Sequence, residues 1–320
     1  MGHGSMTFEE FRQQWEDSRD FIIAHTSGST GVPKEIRLLK GDMVASAKAT
    51  NRFFGIGHNS SLLCPLSLDY IAGKMMAVRA IIAGCEVKFQ PPSRQIEVRR
   101  CDLLAIVPVQ CESFLQQYTP DVKAVIIGGA RLSPTVSTRL IEMGVNAYET
   151  YGMTETCSHV ALKKVGTQYF EAMPGVTFTT DSRGCLVVNV PGMSIRHVVT
   201  NDIVDLVSST KFDWIGRADF VINSGAVKVH PEQIEAQMRA TLDRDVPFYV
   251  TAREDFRWGQ RPIVVTDDRD AVESLTRAIC AIDDKVKRPD GVVTVRTLMY
   301  GDNSKIKRLP LSELEVIQTY

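Results

Sequence analysis

The stretch FIIAHTSGSTGVPK, Phe21 through Lys34, decides the reading of the chain. Phe21 to His25 is a short apolar run with β-formers, and it stops at a segment of nine residues holding hydroxyls and glycines. Thr26, Ser27, Gly28, Ser29, Thr30 and Gly31 form a loop whose backbone N–H and side-chain O–H groups can turn toward phosphate oxygens, and Lys34 adds a cation. It is not a Walker loop: the GxxxxGK spacing is absent, and Pro33 would spoil the helix that such a loop opens. Alone, the loop is equally readable as a plain Gly/Ser turn.

Working outward, residues 7 to about 151 alternate strand-like and helix-like segments, the pattern that builds a parallel sheet covered by helices. Asp42 to Phe54 and Asp69 to Ile82 carry apolar residues at helical spacing. Ser61 to Cys64, Leu103 to Val107 and Val122 to Ile127 read as buried strands. Past Val160 the texture becomes antiparallel, with a hairpin expected from Val176 to Thr180 and Cys185 to Val190 around Asp181-Ser182-Arg183-Gly184. From about Asp219 a third texture begins. It comprises strands at Phe220 to Asn223 and Val227 to Val229, a helix opened by Pro231, strands at Phe248 to Thr251 and Ile263 to Val265, a helix over Ala271 to Val286, and a strand at Val292 to Thr297. The expectation is an α/β chain of two domains. A large one spans 7–217, with a doubly wound sheet plus an antiparallel β portion, and a small mobile one spans 218–320.

Composition narrows the function classes. Lys plus Arg number 37 against 38 Asp plus Glu, a net charge of -1, which argues against a polybasic nucleic-acid binder. Any anion site must be local. The seven cysteines contain no CxxC pair and read as reduced thiols, so a cytoplasmic location is expected. No apolar run approaches the length of a membrane span. The histidines lack metal-ligand spacing, and HExxH and GxSxG are both missing.

Further segments then follow the loop in order: Gly128-Gly129-Ala130; Tyr151-Gly152-Met153-Thr154-Glu155-Thr156; Thr200-Asn201-Asp202; Gly216-Arg217-Ala218-Asp219; Ser224-Gly225-Ala226 running on to Glu235; and Ser304-Lys305-Ile306-Lys307-Arg308. Singly, each is also a glycine-rich strand end, a core tyrosine or a solvated charge. In this order they resemble the adenylate-forming superfamily of acyl-CoA synthetases, adenylation domains and luciferases.

That resemblance implies a two-step ligase. A carboxylate attacks the α-phosphorus of MgATP to give acyl-adenylate and pyrophosphate, and a thiol then displaces AMP. The 26–34 loop, Gly128, Gly129, Ala130, Tyr151, Gly152, Asp202 and Arg217 are expected around the nucleotide, with Gly225 on the thiol route. Thr154 would serve the α-phosphate, Glu155 would hold Mg²⁺, and Lys305 would be the catalytic ammonium of adenylation. Asp219 would be the hinge about which the small domain rotates. The chain departs from the family at Asn201, Ala226, Ser304 and Ser67-Leu68-Asp69.

The hydroxyl-rich loop that begins as early as Thr26 and YGMTETCS at 151–158 look most like the compact o-succinylbenzoate-CoA ligases of menaquinone biosynthesis. For such an acid Ser158, His159 or an arginine from a neighbouring loop would meet the second carboxylate. The expected partners are a small carboxylic acid and coenzyme A, with no nucleic acid and no membrane insertion; self-association stays open. Other aryl- or acyl-CoA ligases, carrier-loading adenylation enzymes and a non-catalytic nucleotide-binding module are the competing readings.

Overall fold

A computed structural model describes residues 5–25, 35–301 and 306–320. Its first part runs α1 (Phe8–Glu16), β1 (Phe21–His25), β2 (Glu35–Leu39), α2 (Lys40–Phe54), β3 (Ser61–Cys64), α3 (Ile71–Ala83), β4 (Glu86–Phe89), β5 (Leu103–Ile106), α4 (Cys111–Gln117), β6 (Val125–Ile127), α5 (Pro134–Glu142) and β7 (Ala147–Gly152). Strands β7-β6-β5-β3-β4 lie side by side, all parallel. The inner strands β3, β5 and β6 are almost wholly apolar because both faces are covered. Helices α4 and α5 pack Cys111, Phe114, Leu115 and Leu140 against one face, while α2 and α3 bring Met43, Ala47, Met75, Met76 and Ala80 to clusters elsewhere around the sheet. This is the doubly wound arrangement that the alternating pattern predicts.

Beyond β7 the same sheet continues antiparallel through β8 (His159–Lys164), β9 (Phe170–Ala172), β10 (Thr177–Thr180), β11 (Cys185–Asn189), β12 (His197–Ser208) and β13 (Lys211–Arg217), making eleven strands. Phe178, Phe212 and Tyr151 centre the core of this portion. A second sheet begins with β14 (Ile222–Ser224) and β15 (Val227–Val229). After α6 (Pro231–Arg239) come β16 (Phe248–Asp255), β17 (Gly259–Thr266), α7 (Val272–Cys280), β18 (Val292–Val295) and β19 (Val316–Thr319). Helices α6 and α7 bury Ile234, Met238, Leu275 and Ile279 over it. The two sheets part between Arg217 and Ile222.

Three expectations change. Strand β1 stands outside the parallel sheet, pairing antiparallel with β2 in a two-stranded sheet of its own. Strand β6 starts only at Val125, and Val122 forms an isolated bridge with Cys101. Helix α7 stops at Cys280, well short of Val286. Asp284 accepts the Val286 N–H through its side chain at 3.0 Å, offering the backbone a turn in place of a further helical bond.

Candidate active site

In an open parallel sheet, ligands bind beyond the carboxyl ends of the strands. Gly128, Gly129 and Ala130 follow the carboxyl end of β6, and Tyr151 and Gly152 close β7 beside them. Thr154 and Glu155 come next in a single 3₁₀ turn, Thr154–Thr156. Thr154 is buried and Glu155 half-buried.

From the antiparallel side, β12 and β13 pair Asp202 with Arg217 in register. The Tyr151 hydroxyl donates to Asp202 Oδ2 at 2.8 Å, Trp214 Nε1–H donates to Oδ1 at 3.2 Å, and Arg217 Nη1 stands 3.8 Å from Oδ1. Each carboxylate oxygen keeps further acceptor capacity for a sugar hydroxyl. Burial, with the Asp202 charge beside it, pushes the Tyr151 phenol well above its ordinary range, so it stays a donor. The Tyr151 ring meets Phe170 and Phe212 edge-on, with centroids 5.9 and 5.1 Å away, and only a 9% exposed margin remains for a nucleotide. Arg217 also donates to Asp219 Oδ2 from Nε and Nη2, at 3.2 and 2.6 Å, and Asn201 Nδ2 reaches the same carboxylate.

Ser158 and His159 lie beside the end of β7, where β8 folds back with His159 opposite Gly152 through a bulge. A methyl group on Gly152 would stand 2.2 Å from the Ser158 carbonyl oxygen, so this position has room only for glycine. His159 Nε2 lies 3.0 Å from Thr50 Oγ1, and burial with the Arg79 charge nearby holds the imidazole well below 6.5, hence neutral.

The residue missed from sequence is Arg79. It projects from α3 and is 1% exposed, and its Nη2 donates to Ser158 Oγ at 2.6 Å. Among the described residues no carboxylate pairs with it, and neither its Nε–H nor the buried Asn51 Oδ1 has a partner. Burial lowers its pKa only to about 10, so it remains a cation at neutral pH. The signal was present in the sequence: an arginine inside the apolar run Met75-Met76-Ala77-Val78-Arg79-Ala80-Ile81-Ile82.

Gly225 turns the β14–β15 hairpin and donates its N–H to the Trp258 carbonyl at 2.7 Å. Thr26, Ser27, Gly28, Ser29, Thr30, Gly31, Lys34 and Lys305 lie outside the described residues. Among the described residues no three His, Cys, Asp or Glu side chains cluster as a metal site, and no helix is long and apolar enough to cross a membrane. Glu155 makes no hydrogen bond or ion pair among those residues. A lone carboxylate of this kind fits Mg²⁺, which takes one or two carboxylates and fills its shell with substrate phosphates and water.

Known proteins bear the same organisation. The 2-succinylbenzoate–CoA ligase of Enterococcus faecalis is 23% identical over 347 residues, covering 95% of this chain and 71% of that protein. A crystal structure of an acyl-CoA synthetase (AMP-forming)/AMP-acid ligase II-like protein from Dyadobacter fermentans is 30% identical, with a TM-score of 0.62 and coverage of 93% of this chain and 91% of the other. The o-succinylbenzoate coenzyme A synthetase of Bacillus subtilis, in complex with ATP and magnesium ion, superposes with a TM-score of 0.77 at 19% identity, covering 91% of this chain and 69% of the other, and shares the fold. The family described as AMP-binding enzyme matches residues 5–196, and the chain belongs to it.

Proposed function

We propose that this protein is an ATP-dependent acid–thiol ligase that converts o-succinylbenzoate to its coenzyme A thioester. The observation that carries the choice of acid is Arg79. A buried guanidinium with no anionic partner is costly unless something anionic arrives to meet it. Its Nη2 already points at Ser158, next to the Gly152 turn where the nucleotide-facing residues converge. A diacid satisfies both ends: one carboxylate reacts at the nucleotide, and the other lies against Arg79 and Ser158.

In the first half-reaction a carboxylate oxygen of the acid bonds to the α-phosphorus of ATP, and the bond to the leaving pyrophosphate breaks. Asp202 and Arg217 orient the ribose, the Thr154 hydroxyl addresses the α-phosphate, and the hydroxyl-rich loop from Thr26 to Lys34 holds the β- and γ-phosphates. Mg²⁺, held by Glu155, would neutralise phosphate charge. Lys305 stabilises the charge that builds between carboxylate and phosphate. In the second, the thiolate of coenzyme A adds to the acyl carbon and AMP leaves, with Gly225 on the thiol's path. The small domain, 218–320, turns about Asp219 between the two steps, withdrawing Lys305.

Pyrophosphate release with o-succinylbenzoate, benzoate and a long-chain fatty acid, each with and without coenzyme A, tests the reading. Preference for either simple acid removes the assignment of substrate and leaves the ligase. No release with any acid removes the ligase.

A further inference from the structure

Arg217 is the last residue of β13, and its two ends face different parts of the molecule. Its guanidinium fronts Asp202 and Asp219, whereas its backbone N–H donates to Glu232 Oε1 at 3.3 Å. Glu232 belongs to the first turn of α6, in the part of the chain that follows the 218–221 connection. It is 7% exposed, and its other oxygen, Oε2, is buried without a partner among the described residues.

The cation nearby, Arg308, favours its charge from a distance but makes no hydrogen bond to it. Arg308 is committed to Glu235, giving two hydrogen bonds of 2.5 and 2.6 Å, and its guanidinium lies 5.2 Å from the centre of the Phe220 ring. Burial raises the Glu232 carboxyl above its ordinary range. The carboxylate reaches the strand end because residue 216 is glycine: a methyl group there would sit 2.5 Å from Oε2. An apolar side chain would fill this space without the desolvation that a carboxylate suffers. Among the described residues the side-chain carboxylate accepts one hydrogen bond from elsewhere in the chain, from the backbone of Arg217.

We infer that Glu232 is a positioning residue that couples the seating of α6 to the nucleotide site by fixing Arg217. The inference rests on the proposed placement of ATP at Asp202 and Arg217. Coupling of this kind is reciprocal: if the seated helix steadies Arg217 for ATP, bound ATP steadies the seated helix. A turn of the small domain about Asp219 would have to break the Glu232 bond, so the same contact resists that motion.

Three variants test it: Glu232→Ala, Glu232→Gln and Gly216→Ala. ATP affinity is read by calorimetry, hydrogen exchange is read on a peptide containing the Arg217 amide, and thermal unfolding identifies folded variants. Glu232→Ala is expected to weaken ATP about five- to tenfold and to speed exchange at Arg217. Glu232→Gln keeps a carbonyl oxygen for the same bond and should stay within about twofold of the parent. Gly216→Ala leaves the acid present but displaces it, and should follow Glu232→Ala. Parental exchange in Glu232→Ala overturns the inference, as does faster exchange with unchanged ATP affinity, or a Gln variant as impaired as the Ala variant. If the parent itself fails to bind ATP, the proposed function falls, while exchange at Arg217 still judges the contact.

Discussion

The Tyr151 hydroxyl and Asp202 Oδ2, 51 residues apart in sequence, are joined by a hydrogen bond of 2.8 Å. The bond ties the carboxyl end of the parallel sheet to the antiparallel strands, so Asp202 has a structural duty besides any ribose contact. Asp202→Ala strands the Tyr151 hydroxyl and the Trp214 indole N–H without their acceptor, and is expected to cost about 1–3 kcal/mol of stability together with ATP affinity. Asp202→Asn retains partners for both groups and loses the charge. It should lose ATP affinity while staying close to the parent in denaturant unfolding. Equal destabilisation by both substitutions would contradict this division of roles.

Arg79 should determine which acids are accepted. Removing one member of a buried charge pair costs roughly 3–5 kcal/mol, so Arg79→Met should lower kcat/KM for o-succinylbenzoate by about a hundredfold or more. Benzoate, with no second carboxylate to place, should be affected far less. Competition between the two acids in parent and variant measures the difference directly, and an equal loss for both would show that Arg79 only supports the fold.

Much of the fold could be read from local chemistry, and the failures have physical causes. Strands Ser61–Cys64 and Leu103–Ile106 announce themselves because both faces of a parallel sheet are buried, leaving unbroken apolar runs. Helix α1, opened by a reciprocal capping box of Thr7 and Glu10, is hard to read from sequence because it is nine residues long and buries only Phe11 fully. The pairing of β1 with β2 depends on a contact across the Thr26–Lys34 segment, which no periodicity encodes. At the site, Asp202, Arg217 and Tyr151 were legible through motif order. Trp214 and Glu232 were not, because each matters through a single bond that exists only after β12, β13 and α6 have packed.

Stability should depend on pH through His159. Its imidazole titrates well below 6.5 in the folded protein, because burial and Arg79 oppose its charge. The unfolded chain therefore binds more protons just below pH 6.5, and stability is full above that value and lost as pH falls toward the folded one. His230, lowered by burial and by Lys228 and Lys287, acts with the same sign. Glu232, raised by burial, acts oppositely: its contribution is present below about 4.5 and is lost as pH rises through its folded value. Denaturant unfolding from pH 7.5 to 5.5 should show a loss approaching about 1 kcal/mol per pH unit from His159. His159→Gln should flatten that slope by this amount, and an unchanged slope would place a charged imidazole in the fold.

Gly152→Ala should be among the more damaging small substitutions in the chain. A β-carbon there would lie 2.2 Å from the Ser158 carbonyl oxygen and 2.5 Å from the His159 Cα, both backbone atoms that no side-chain rotation can move away. Relief requires opening the bulge where β8 leaves β7. That displaces Ser158 from Arg79 and His159 from Thr50. A loss of roughly 2–3 kcal/mol is expected, toward the upper end for an overpacked site. Turnover should fall as well, because Tyr151 and Thr154 flank the displaced turn. Gly57→Ala supplies the comparison, since nothing lies within 4 Å of a β-carbon at that position, and it should unfold within about 0.5 kcal/mol of the parent. If Gly152→Ala matched Gly57→Ala in both unfolding and turnover, the bulge would not be holding Ser158 and His159 in place.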